Sequence, residues 1–244
     1  MLLSELRNII NYNKIINLKT NYQFNRVSSS SKDVNSKTIF IINNKKKIKN
    51  EFLIEAINKN IPALISTKIY KNLSVAQFIV KDIDKELNQI LKFLKPTKPL
   101  NSVAITGTNG KTTVAWYIAQ ICKLNNVNTK MQGTLGYYIN NRKFKNEILT
   151  TPSFEKLYQN SFTKNLNNYN FIFEASSHAL DQNRIKNFPI NIAAITNISH
   201  DHLDYHKSFF NYKKSKFKLF LKYLDDNGFA IVNSRLSYFH ELIN

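Results

Sequence analysis

The stretch SVAITGTNGKTT, residues 102–113, decides how this chain is read. Ser102 to Thr106 is a short apolar run that predicts a buried strand. A helix is predicted from about Thr112 to Leu124. Between them, Gly107 and Gly110 let backbone N–H groups turn inward toward phosphate oxygens. The helix start brings its positive end to the same point. Lys111 is placed to reach the β- and γ-phosphates of a nucleotide, and the Thr112 hydroxyl to ligate Mg²⁺. Ile105 stands where the strict G-x-x-x-x-G-K-[ST] pattern has its first glycine. Strand, Gly107, Gly110-Lys-Thr and helix in series still predict a phosphate loop over Gly107, Thr108, Asn109, Gly110, Lys111, Thr112 and Thr113.

Outward from this loop, strands and helices alternate. FIFEA (171–175), IAAITNI (192–198) and FAIVN (229–233) read as strands, and 208–224 as a helix. Such alternation predicts an α/β fold with a mostly parallel, doubly wound sheet. Upstream, Lys95-Pro-Thr-Lys-Pro-Leu100 forbids continuous helix and marks a seam near 96–99. Two domains are expected, 1–97 and 98–244. The first reads as small and α/β: strands at 38–42 and 61–65, helices at 51–60 and 81–94, and an amphipathic helix at the N-terminus.

Composition narrows the function classes. At 244 residues with 43% hydrophobic content the chain buries a real core, which excludes a disordered chain. One cysteine, Cys122, excludes an intrachain disulfide scaffold and fits a reducing compartment. No apolar run approaches the roughly 20 residues of a membrane span. The net charge of +19 raises the question of nucleic acid. The excess is spread, +11 over 1–98 and +8 over 99–244, and only five of 35 basic residues are arginine. With 35 asparagines beside many lysines and isoleucines, the bias reads as an AT-rich coding sequence. A basic nucleic-acid-binding NTPase stays as a rival reading.

Two further stretches follow strands, where open α/β sheets bind ligands. FIFEA ends in Glu174, a carboxylate suited to Mg²⁺ directly or through water. TNISHDHLDYH (196–206) gathers His200, Asp201, His202, Asp204 and His206. His-rich runs suit zinc, but the phosphate loop nearby favours magnesium.

GTNGKTT (107–113), GTLG (133–136), TTP (150–152), EASSHALDQNR (174–184) and TNISHDHLDYH, followed by Lys216, resemble the Mur ligases. Within that family they are most similar to the branch that adds the third amino acid to UDP-N-acetylmuramoyl-L-Ala-D-Glu. The resemblance is dense from about 101 to 235. It implies a cytoplasmic, ATP- and Mg²⁺-dependent acid–amino-acid ligase of peptidoglycan precursor synthesis, working through an acyl phosphate. In that reading Gly107 to Thr113 bind ATP, and Lys111, Lys216 and His202 are catalytic. Thr112, Glu174, His202 and Lys216 (as a CO₂-derived carbamate) serve the metal. Thr150, Thr151, Ser176, Gln182 and Arg184 hold the UDP-muramoyl-dipeptide. In the first domain, VSSSSKDV (27–34) resembles a uridine-contacting segment, with Ser31 at the contacting serine. Ser30 and Lys32 replace an aspartate and an arginine of that pattern, and the segment that should follow appears as Asn44 to Lys49. The family also has a C-terminal Rossmann-like domain carrying the amino-acid pocket. Its expected absence here implies a truncated or split form, with a separate C-terminal-domain polypeptide as partner. The third amino acid, diaminopimelate or lysine, stays open. Folylpolyglutamate and cyanophycin synthetases share the GTNGKTT loop and remain the alternative within the same ligase type.

Overall fold

The computed structural model describes residues 1–42, 49–94, 97–162, 168–236, 238 and 240–241. The chain divides into two compact units, Met1–Pro96 and Thr97–Asn244.

The first unit carries a five-stranded sheet in the order β1-β5-β4-β3-β2. Its strands are β1 (Lys14–Ile16), β2 (Arg26–Ser28), β3 (Thr38–Ile41), β4 (Ala63–Ser66) and β5 (Ala76–Ile79). Only β1 runs antiparallel, against β5. Helices α1 (Leu3–Leu6), α2 (Asn50–Asn58) and α3 (Ile83–Leu94) complete it. On α2, Leu53 and Ala56 bury against Phe40, Ile42 and Leu64 of the sheet. The expected N-terminal amphipathic helix is corrected. After one turn at Leu3–Leu6 the chain extends, because Ile15 and Ile16 pair with Phe78 and Gln77 at the sheet edge. That pairing overrides local helical spacing.

The second unit holds β6 (Asn101–Thr106), α4 (Lys111–Leu124), β7 (Asn128–Gly133), β8 (Gly136–Ile139), β9 (Arg142–Lys145) and α5 (Phe154–Ser161). Then come β10 (Tyr169–Glu174), α6 (Ser177–Asp181), β11 (Ile192–Ile195), α7 (Leu203–His206), α8 (Phe209–Lys218) and β12 (Phe229–Val232). The sheet order is β12-β11-β6-β10-β7-β8-β9. The first five strands are parallel and the last two antiparallel. The mostly parallel α/β architecture is therefore as expected. Among the described residues no helix is long and apolar enough to cross a membrane.

Alternation along β10 builds both faces of this sheet. Ile172 faces α4 with Val103, Ile105, Ala115, Ala119 and Met131. Phe171 and Phe173 face the other way, onto Phe188 at centroid distances of 5.8 and 5.3 Å. Phe188 also meets Tyr158 and Phe162 edge-on, while those two stack at 3.9 Å. Burying a ring of this size contributes about 2–3 kcal/mol.

Some elements differ from expectation. The strand predicted at 192–198 ends at Ile195, and the helix predicted over 208–224 changes at Leu219 to a wider π-type turn. The β7–β9 meander went unseen because β7 is polar. Both Lys130 and Gln132 are buried there: Lys130 Nζ donates to Asn160 O and Gln132 Oε1 accepts from Asn160 Nδ2. The asparagine richness also has a structural outlet. Nine of the eleven described non-glycine residues with positive φ are asparagine, the side chain that best tolerates that region after glycine. With five glycines in the chain, asparagine turns many of the corners.

Candidate active site

The phosphate loop leaves the carboxyl end of β6 between β10 and β11. The register sets Glu174 beside Ile105, and Ile195 beside Thr106. Gly107 adopts φ 144° and Gly110 φ 83°. Gly107 has no room for a side chain: a Cβ there would lie 1.9 Å from Thr196 Oγ1. The loop is pinned by the segment just past β11. Thr108 N donates to Asn197 O and Asn109 N to Asn197 Oδ1, while Thr196 Oγ1 and Asn197 Nδ2 donate to Asn109 O.

Lys111 folds back over the loop, its Nζ donating to Gly107 O and Thr108 O at 2.9 Å each. Burial pushes its ammonium below the ordinary lysine range, against the pull of Glu174 and Asp201. Thr112 Oγ1 donates to Glu174 Oε2 at 2.9 Å. Glu174 is 1% exposed, and its Oε1 accepts from Thr134 N at 2.8 Å. The carboxylate occupies the space left by Gly133, where a Cβ would lie 2.1 Å from Oε1. Two hard oxygen donors this close, at the loop and helix start, suit a magnesium ion shared with phosphates. Among the described residues no three His, Cys, Asp or Glu side chains converge as a metal cluster.

Lys216 reaches the same place from α8. It is 1% exposed, and its Nζ donates to Gly107 O at 2.6 Å. The nitrogen lies 4.5 Å from the ring centre of Tyr212, whose hydroxyl meets Thr108 Oγ1 at 3.0 Å. Burial, then the neighbouring Lys111 charge, lowers the Lys216 amine to about 7, Asp201 opposing.

The histidines of 200–206 form an aromatic cluster with His178. His178 packs on His202, Tyr205 and His206 at 4.9, 4.2 and 5.5 Å. His206 also meets Tyr212, and His200 meets Phe209. Packing therefore accounts for much of this run. Burial, then the His202 charge, lowers the His178 imidazole. His202 starts α7 at φ 50° with its side chain half exposed.

The residues expected to hold the larger substrate converge beside Glu174. Thr151 Oγ1 donates to Glu174 O at 2.6 Å and accepts from Ser176 N at 3.0 Å. Ser176 also caps α6. Arg184 donates to Thr151 O through Nη1 and to Gln182 Oε1 through Nε and Nη2. Thr150 Oγ1 contacts Thr134 Oγ1 at 3.0 Å. In the first unit, Ser31 Oγ donates to Glu55, which also pairs with Lys59. Of the Asn44 to Lys49 segment, residues 44–48 lie outside the described residues. Sequence reasoning missed Gly133, Thr134, Asp181, Tyr205 and Tyr212 as site-building residues. The GTLG, LDQN and LDYH contexts were visible, but their partners lie dozens of positions away.

Strand, phosphate loop and helix, with a buried carboxylate on the next strand, define a P-loop α/β protein. Residues 105–244 match the Mur ligase middle domain, and the chain belongs to the Mur ligase family. The UDP-N-acetylmuramoyl-L-alanyl-D-glutamate–2,6-diaminopimelate ligase of Rickettsia montanensis is 38% identical over 231 residues, covering 89% of this chain and 47% of that one. Its namesake from Wigglesworthia glossinidia brevipalpis is 35% identical, covering 86% and 47%. A solved structure of a ligase of that name superposes with TM-score 0.70 at 26% identity, over 100% of this chain and 49% of that one. A MurF ligase from Thermotoga maritima in complex with ADP shares the fold at TM-score 0.62 and 17% identity, covering 89% and 48%. The chain thus spans about half the length of the curated relatives it matches.

Proposed function

We propose that this chain supplies the ATP site and the UDP-substrate site of a ligase that adds the third amino acid to UDP-N-acetylmuramoyl-L-Ala-D-Glu. Residues 1–97 are assigned as a UDP-muramoyl-substrate domain and 98–244 as the ATP domain, which also carries residues assigned to that substrate. The observation that carries the reading is the meeting of Lys111, the Thr112–Glu174 pair and Lys216 around Gly107. The relatives' names favour diaminopimelate over lysine as the added amino acid.

In the proposed reaction the D-Glu side-chain carboxylate attacks the γ-phosphate of ATP, giving an acyl phosphate and ADP. The amine of the incoming amino acid then displaces phosphate, forming the amide. The loop N–H groups and Lys111 bind and orient the phosphates, so catalysis is mostly positioning and electrostatics. Thr112, Glu174 and His202 are the residues that would hold magnesium, which when bound neutralises phosphate charge. Lys216 fits the carbamate role because burial and the Lys111 charge lower its amine to about 7, so a substantial neutral fraction is available to attack CO₂. Forming the N–C bond releases a proton and turns the Lys111–Lys216 repulsion into attraction. Gln182, Arg184, Thr150, Thr151, Ser176 and, in the first unit, Ser31 are assigned to the UDP-substrate. ATP use and the single cysteine fit a cytoplasmic setting.

The test offers the purified 244-residue chain Mg-ATP, UDP-N-acetylmuramoyl-dipeptide and each amino acid. Binding of both nucleotide and UDP-substrate is expected. Absence of Mg-ATP binding would sink the reading.

A further inference from the structure

Asp181 lies at the end of α6, one residue before Gln182. Its carboxylate joins three elements. Oδ2 accepts from Tyr205 OH of α7 at 3.2 Å. Oδ1 accepts from Lys218 Nζ at 2.9 Å and Ser215 Oγ at 3.4 Å, both on α8. Ser215 and Lys218 flank Lys216 on that helix.

The chain of bonds continues toward the substrate residues. Gln182 Nε2 donates to Tyr205 OH at 3.0 Å. Gln182 Oε1 accepts from Arg184 Nε at 2.9 Å and Nη2 at 2.6 Å. Arg184 Nη1 donates to Thr151 O at 2.9 Å, and Thr151 Oγ1 to the Glu174 carbonyl.

An ionised carboxylate only accepts, and a guanidinium only donates. Burial pushes the Asp181 carboxyl up, but the bonds from Lys218 and Tyr205 outweigh it and hold the group below its ordinary value. Ionised, Asp181 takes the Tyr205 proton. The tyrosine oxygen is then left as acceptor for the Gln182 amide N–H₂. The amide must therefore turn its carbonyl to Arg184. Every bond in the series points the same way, from Arg184 to Asp181. Among the described residues these bonds leave one N–H on each terminal nitrogen of Arg184 for a ligand. An Arg fork with its remaining donors fixed in direction suits a carboxylate or phosphate.

We propose that Asp181 and Tyr205 are positioning residues: together they fix the amide orientation of Gln182, and through it the Arg184 fork that receives the anionic UDP-muramoyl-dipeptide. The inference rests on the substrate assignment made above.

The experiment is calorimetric titration of the full 244-residue chain with UDP-N-acetylmuramoyl-L-Ala-D-Glu and, separately, with Mg-ADP. Tyr205→Phe and Asp181→Ala should each weaken the UDP-substrate roughly tenfold, the scale of one charge-linked hydrogen bond, with Mg-ADP affinity within twofold of the parent. Asp181→Asn keeps an acceptor for Tyr205 and should recover most of the loss. Parent-like UDP-substrate affinity in Tyr205→Phe, alongside lost binding in Arg184→Ala, would overturn the relay and leave the substrate assignment standing. An equal fall in Mg-ADP affinity would overturn it in favour of a general structural role. No binding by the parent chain would overturn both the relay and the assignment beneath it.

Discussion

The Thr112 hydroxyl and the Glu174 carboxylate meet at 2.9 Å, joining the first turn of α4 to the end of β10. Gly133 makes this possible, since its missing side chain is the space Glu174 fills. Gly133→Ala should push Glu174 off Thr112 and Thr134. Loss of those bonds to a buried carboxylate costs about 2 kcal/mol. The expected outcome is a lower urea midpoint and roughly tenfold weaker Mg-ATP binding, read by chemical denaturation and calorimetry. Unchanged Mg-ATP affinity would remove Glu174 from the metal site.

Gly107 and Lys111 should separate fold from binding. Gly107→Ala places a Cβ against Thr196 at φ 144° and should cost at least about 2 kcal/mol of stability. Lys111→Met leaves Gly107 O bonded to Lys216, so stability should change by less than about 1 kcal/mol. Its nucleotide affinity should fall roughly 10- to 100-fold, the scale of charge-assisted phosphate bonds. Thermal melts with and without Mg-ATP distinguish the two variants.

The Lys216 amine predicts a pH signature. Its value falls from 10.5 to about 7 on folding, so between those values the unfolded chain binds more protons than the folded one. The lysine's contribution to stability therefore rises with pH across that window, and its full penalty applies below about 7. Lys216→Met should gain a few degrees in thermal midpoint relative to the parent at pH 6, and the gain should shrink toward pH 10. A mutant-minus-parent difference that does not vary with pH would contradict a neutral buried lysine.

Phe188 packs against four aromatic side chains, Tyr158, Phe162 and, on β10, Phe171 and Phe173. Phe188→Ala should destabilise the second unit by about 3–5 kcal/mol. Phe188→Leu should restore most of that if packing is the whole contribution. Urea unfolding followed by far-UV dichroism gives both numbers.

The phosphate loop and its flanking strand and helix were legible because strand, glycines, lysine and threonine are contiguous and each enforces a local conformation. Glu174 and Lys216 were legible as residue types in order, through resemblance. The N-terminal helix was misread because Ile15 and Ile16 carry helical spacing but are claimed by an edge pairing with β5. The β7 strand was missed because Lys130 and Gln132 read as polar loop until their partners on α5 are known. The histidine run read as metal-like, yet most of its rings pack on His178, Tyr212 and Phe209.

The sequence alone determined the fold class, the phosphate loop and the family, because those depend on short-range patterns: apolar runs, glycine placement and contiguous motifs. Only the tertiary structure decided what the motifs do to one another. It placed Lys216 on Gly107 across 109 positions and Thr112 on Glu174 across 62. It also lowered the lysine by burying it beside Lys111, and set the direction of the Asp181–Tyr205–Gln182–Arg184 series. Desolvation and hydrogen-bond direction depend on which groups share a cavity, and no local pattern in a chain contains that information.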